Sequence, residues 1–189
     1  MDAYGHLRIL VSMILGLGIT RVLSGLSRRI QSPARTEGML AQTVWAVIVL
    51  LGAVHFWWWE FGLRRISDWH FGAYVFVLCY ASLHFVMATL IFPDALPDHA
   101  ESESFFMRRR RWFFGVFALT FGFDLFDTLM KGSDYLHALG PEYFLRLALG
   151  LSVAFAALRA RTLQGVALIG AVWLAYDISW IVRRYDSLG

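Results

Sequence analysis

The sequence predicts an all-α fold, a polytopic bundle of about six transmembrane helices with no sizeable soluble domain. Three observations carry that prediction. Of the 189 residues 58% are apolar and 16% charged. The apolar residues run in blocks of about 20, the length that crosses a bilayer. The charged residues gather between the blocks. A soluble chain holds about 45–50% apolar and ~25% charged residues, and a domain of this size has too little interior to bury the excess. Residues 1–189 therefore read as one transmembrane helical domain.

At ~1.5 Å rise per residue, the spans fall at 7–26, 39–59, 71–92, 112–130, 143–158 and 163–182. The first carries Ser12, Gly16, Thr20 and Ser24 at four-residue spacing. Small side chains on one face let another helix approach closely, so the stripe predicts helix packing, or a channel wall where the same face repeats around an oligomer axis. Arg21 lies off the stripe, within reach of the headgroups beyond Arg28 and Arg29. Residues 1–7 lack a basic leader and no small-residue cleavage site follows, so this span is expected to stay in the membrane.

The second span ends in Trp57, Trp58 and Trp59 before Glu60, which reads as an aromatic belt at the outer surface. Trp69, Trp112 and Trp180 also fall at span ends. The third span holds His84 and stops at Pro93 and Pro97. Residues 94–111 read as the longest loop, acidic first (Asp94, Asp98, Glu101, Glu103), then basic (Arg108, Arg109, Arg110, Arg111). The basic run predicts a cytoplasmic anchor that binds anionic lipid headgroups.

The fourth span carries the sharpest signal. Thr120, Asp124, Asp127 and Lys131 follow i, i+4, i+7 and i+11, a polar stripe on an otherwise apolar helix. Two carboxylates three residues apart need a cation or a proton between them. Asp127 and Lys131 are spaced for an i,i+4 pair at the outer end. Gly132, Gly140 and Pro141 punctuate a short connector, the fifth span is short and contains Arg146, and the sixth contains Asp177.

Rise per residue places these groups in depth. From the cytoplasmic side Asp124 lies about 18–20 Å up, Asp177 about 21 Å, His55 about 22 Å and Arg146 about 20 Å. Asp127 is one turn above. Three acids, an arginine and a histidine thus share one layer, and charges at that depth cost ~2.5 kcal/mol or more unless paired or hydrated. His84 falls near 13 Å by the same count, about 9 Å from His55, which argues against bis-histidine haem.

Other classes are excluded more simply. With 17 Lys+Arg against 14 Asp+Glu, nothing in the charge calls for nucleic acid. Cys79 is the sole cysteine, so neither an intrachain disulfide nor a thiolate metal site can form. No phosphate loop, nucleophile elbow or zinc-protease spacing occurs, and no cofactor is expected. Basic residues near span ends number nine on one side and six on the other when the N-terminus is placed outside, which favours both termini external. A bacterial inner membrane is the expected location.

The function that follows is a small channel or transporter for protons or a small cation. Asp124, Asp127 and Asp177 would bind the cargo, Arg146 would balance charge, and His55 and His84 would relay protons. The alternative is a non-transporting scaffold or subunit of a larger membrane complex, with the polar layer as structural ion pairs. Its partner would be another membrane protein or a second copy. An intramembrane enzyme using the acids as general acid and base comes third.

Overall fold

The computed structural model describes residues 3–31, 38–66, 68–92 and 99–185. Pro93, Asp94, Pro97 and Asp98, which entered the sequence argument, lie outside them, as does Arg35, one of the nine basic residues counted on one side. Every regular element among the described residues is helical: α1 (Ala3–Gln31), α2 (Met39–Trp59), a 3₁₀ turn (Glu60–Arg65), α3 (Phe71–Ile91), α4 (His99–Met130), α5 (Ser133–Leu139), α6 (Pro141–Arg159) and α7 (Leu163–Tyr185). Six of these helices are long and apolar enough to cross a membrane, α5 being the exception.

One boundary differs from the sequence reading. The stretch assigned to a loop is helical from His99, continuous with the fourth span. Beyond Pro97 no glycine or proline occurs before Gly115, and Ala, Glu, Met and Arg favour helix. The chain starts a helix there and has no reason to stop. At the other end of α4, Gly132 (φ 104°) and Gly140 (φ 71°) adopt the left-handed backbone that flanks α5. Pro141 then opens α6, where its missing N–H costs nothing.

The six long helices close into a ring. Helix α1 packs on α3, α3 on α4, α4 on α6, α6 on α7, α7 on α2 and α2 on α1, while α2 also touches α3 and α4. Trp45 of α2 is fully buried at one level of this ring. It meets Phe113, Phe114 and Phe117 of α4 edge-on at 5.6, 4.8 and 5.4 Å, the geometry aromatic quadrupoles favour. Its indole N–H donates to the Val166 carbonyl of α7 at 3.1 Å, so the buried polar atom is satisfied.

Helix α1 faces the ring with Leu7, Val11, Leu15 and Val22. Gly18 lets it close on α3: a Cβ there would stand 3.3 Å from the Phe85 Cα. Ser12, Gly16, Thr20 and Ser24 are exposed, with the Ser12 hydroxyl accepting from the Trp57 indole N–H of α2 at 3.2 Å. No atom lies within 4 Å of where a Gly16 Cβ would be. Trp180, near the end of α7, is buried between α2 and α6, with its ring under the Arg146 guanidinium at 4.6 Å.

Candidate functional site

Five helices bring ionisable side chains around one interior cavity of about 60 Å³. His55 comes from α2, Tyr80 and His84 from α3, Thr120 and Asp124 from α4, Arg146 from α6 and Asp177 from α7. The lining between them is apolar and aromatic, including Phe56, Met87, Phe121 and Trp173. A water needs roughly 10–15 Å³ of such space and two or more polar partners, so the cavity has room for a few.

Its centre is a three-body charge arrangement. Arg146 donates through Nε and Nη2 to Asp177 Oδ1 at 3.2 and 3.0 Å. Its Nη1 stands 3.8 Å from Asp124 Oδ2. All three side chains are buried. Asp177 thus takes the guanidinium's hydrogen bonds, and Asp124 keeps only a longer electrostatic contact. Asp124 Oδ1 accepts weakly from the Tyr80 hydroxyl at 3.4 Å, while its Oδ2 makes no hydrogen bond. The Arg146 plane also lies over Trp180, a cation–π contact that holds the head in place.

The histidines sit at the cavity wall. His55 Nε2 lies 3.2 Å from the Tyr185 hydroxyl, with its ring edge-on to Trp59 and Trp180. His84 Nδ1 is 3.4 Å from the Tyr80 carbonyl, and its ring lies against Phe56 at 4.8 Å. It meets α2 at Gly52, where a Cβ would be 3.9 Å from His84 Cδ2. Gly52 is three residues, about 4.5 Å, along α2 from His55. Counting on separate helices had set the two rings about 9 Å apart in depth, yet one cavity receives both.

Asp127 goes elsewhere. It is absent from the cavity wall and belongs to a second buried cluster beyond it. Lys131 Nζ pairs with Asp127 Oδ2, as the i,i+4 spacing predicts, and donates to the Trp59 carbonyl at 3.2 Å. The Trp59 indole N–H donates to the same Asp127 oxygen at 3.2 Å. Glu60 Oε1 lies 3.6 Å from Lys131 Nζ, and neither of its carboxyl oxygens has a hydrogen-bond donor. The sequence reading placed Glu60 at the outer surface with the three tryptophans. Trp57 and Trp58 are indeed exposed, but Trp59 and Glu60 are buried, because the 3₁₀ turn folds back over Lys131. Tyr135 closes this cluster from α5, and burial pushes its phenol above the usual tyrosine range, with nearby Asp127 adding to the shift.

Tyr80, Glu60 and Tyr185 are the residues that sequence reasoning missed. A tyrosine inside an apolar span carries no distinguishing signal, and Glu60 follows a tryptophan run that looks interfacial. The basic run is also more divided than its sequence suggests. Arg108, Arg109 and Arg111 are exposed, while Arg110 Nη1 donates to the Ala160 carbonyl at 2.9 Å and ties α4 to the α6–α7 turn. Among the described residues no three His, Cys, Asp or Glu side chains gather as metal ligands.

No family model, no curated protein and no solved structure matches this chain. The fold and the site define a polytopic helical membrane protein with buried charged pairs, in contact with lipid around its outer faces.

Proposed function

We propose that the protein moves protons or a small cation across a membrane, as a channel or transporter, with the five-helix cavity as its binding site. One observation supports this above the rest. Two aspartates share one arginine beside a space that accommodates water, and Asp124 holds the weaker claim on that arginine. Asp177 and Arg146 act as a fixed ion pair. Asp124 is the carboxylate that takes and releases the cargo, steered by the Tyr80 hydroxyl. His55 and His84 hand protons along the wall. Asp127 serves the outer end, where Trp59 belongs both to the cavity wall and to the Asp127–Lys131 pair.

The orientation in this reading has both termini external, in a bacterial inner membrane. The experiment is proton flux in liposomes under an imposed pH gradient, comparing wild type with Asp124→Asn. Loss of most of the flux supports the proposal, and equal flux removes it.

A second reading, a scaffold or complex subunit without transport, is favoured by the outward stripe of Ser12, Gly16, Thr20 and Ser24. It requires a stoichiometric membrane partner on purification and no flux in either form.

A further inference from the structure

The cavity lies inside the helix ring, so a proton held at Asp124 needs a way through the wall. Toward the end of α2 that wall is aromatic. Trp59 is buried there, and Trp180 packs on the Arg146 head. His55 stands beside both, its ring 5.8 Å from Trp59 and 5.5 Å from Trp180. Its hydrogen-bonding partner is the Tyr185 hydroxyl, 3.2 Å from Nε2. Tyr185 is the last residue of α7 and is half-buried. Its ring meets His55 at 5.8 Å and Trp58, which is exposed, at 5.9 Å. Two side chains thus carry polar atoms from the cavity wall to the end of the helix.

The chemistry of those atoms suits a relay. Imidazole and phenol each donate and accept, so each can take a proton on one side while giving one on the other. A neighbouring contact cannot do this. The Trp59 indole also leads from the cavity wall, to Asp127 at 3.2 Å. An indole N–H only donates, so it passes no proton onward.

We propose that Tyr185 is the outer proton port of the cavity, relaying between His55 and external water. The proposal rests on the transport reading above. In one outward passage, Nδ1 of His55 takes a proton from cavity water and Nε2 gives its own to the Tyr185 oxygen. The proton already on that hydroxyl then leaves for external water. One proton enters the relay and one leaves, and both rings end neutral. Turning of the imidazole restores its starting tautomer, and inward passage is the reverse.

The test uses the full chain in liposomes and follows proton flux under an imposed pH gradient. Tyr185→Phe keeps the ring between His55 and Trp58 and removes only the oxygen. Its flux is expected to fall about tenfold or more, with little change in unfolding temperature. In Tyr185→Ala, imidazole added to the medium is expected to restore flux, because a small diffusible base can take the place of the phenol. The same addition is expected to do nothing for Tyr185→Ala combined with Asp124→Asn. The proposal is overturned if Tyr185→Phe conducts like wild type, a result that leaves the cavity reading standing. It is also overturned if imidazole fails to restore Tyr185→Ala, since the hydroxyl would then only hold His55 in place. Equal restoration in the double variant would put the effect in the lipid, and overturns it too. A wild type without flux removes both this proposal and the reading beneath it.

Discussion

Arg146 gives both of its short hydrogen bonds to one oxygen of Asp177, at 3.2 and 3.0 Å, and none to Asp124. The two aspartates are therefore unequal although they share a cavity and a cation. One is a permanent partner. The other is a carboxylate whose counter-charge is already engaged, facing space that water can occupy. That inequality is what a site needs if one of its groups is to change state while the rest of the cluster stays in place.

The inequality should appear in stability. Asp177→Asn removes the negative charge that meets the arginine's two hydrogen bonds and leaves a buried guanidinium with one acid 3.8 Å away. Breaking such a buried pair costs roughly 3–5 kcal/mol. Asp124→Asn leaves the Arg146–Asp177 pair intact, so its cost is about 1 kcal/mol or less. Reversible unfolding of the two variants in mixed micelles compares them directly. Equal losses would mean that Arg146 does not discriminate between the acids.

The glycines on α1 and α6 separate close packing from an outward face. A Cβ on Gly150 would fall 2.1 Å from Phe121 Cζ, and that ring is fixed between Phe117 and Trp173 at 5.1 and 5.6 Å. Gly150→Ala is expected to destabilise by about 1–3 kcal/mol through overpacking. Gly16→Ala meets nothing within 4 Å and gains helix propensity, so folding is expected to be unaffected or slightly favoured. Melting temperatures check both. A large loss for Gly16→Ala would place a partner against the stripe.

Span number was legible in the sequence, because it follows from apolar length and a fixed rise per residue. Met39–Trp59 is the clearest case, its ends agreeing with the helix that forms. The common layer of Asp124, Arg146, Asp177 and His55 came from the same arithmetic, and these side chains do line one cavity. Direction around each helix was not legible. In water an apolar stripe marks the buried side, but in lipid both sides are apolar and the contrast vanishes. The exposure of the small residues of α1 could therefore not be read, nor could the division of Asp124 and Asp127 between two clusters. Glu60 was hidden for another reason: its burial comes from a turn that returns over Lys131, and neighbouring tryptophans give no sign of it.

Tyr80 offers a test of steering at Asp124. Tyr80→Phe keeps the ring contact with Phe56 at 4.6 Å and removes the hydroxyl that lies 3.4 Å from Asp124 Oδ1. Loss of one long hydrogen bond is worth about 1 kcal/mol, roughly fivefold in an equilibrium. Proton flux in liposomes should change by that order while the protein stays folded. In an Asp124→Asn background the same substitution should change nothing further. An undiminished effect in that background would show that the hydroxyl acts on something other than Asp124.

The Lys131 cluster makes the last prediction. One ammonium serves Asp127, Glu60 and the Trp59 carbonyl, and its side chain is wholly buried. Lys131→Met keeps the length and most of the volume but strands two acids in a dry site, so a loss of roughly 3–5 kcal/mol is expected. If charge rather than packing is responsible, removing the stranded acids must recover the loss. Lys131→Met combined with Asp127→Asn and Glu60→Gln should regain most of it, because buried ion pairs replaced as a set are often neutral or stabilising. Glu60→Gln alone should cost little, since its carboxyl makes no hydrogen bond, its contact with Lys131 is a long 3.6 Å, and Lys131 stays with Asp127. Unfolding free energies of these variants complete the comparison. If the triple variant is as unstable as Lys131→Met, the lysine holds α4 against the 3₁₀ turn by shape and the charges around it are incidental.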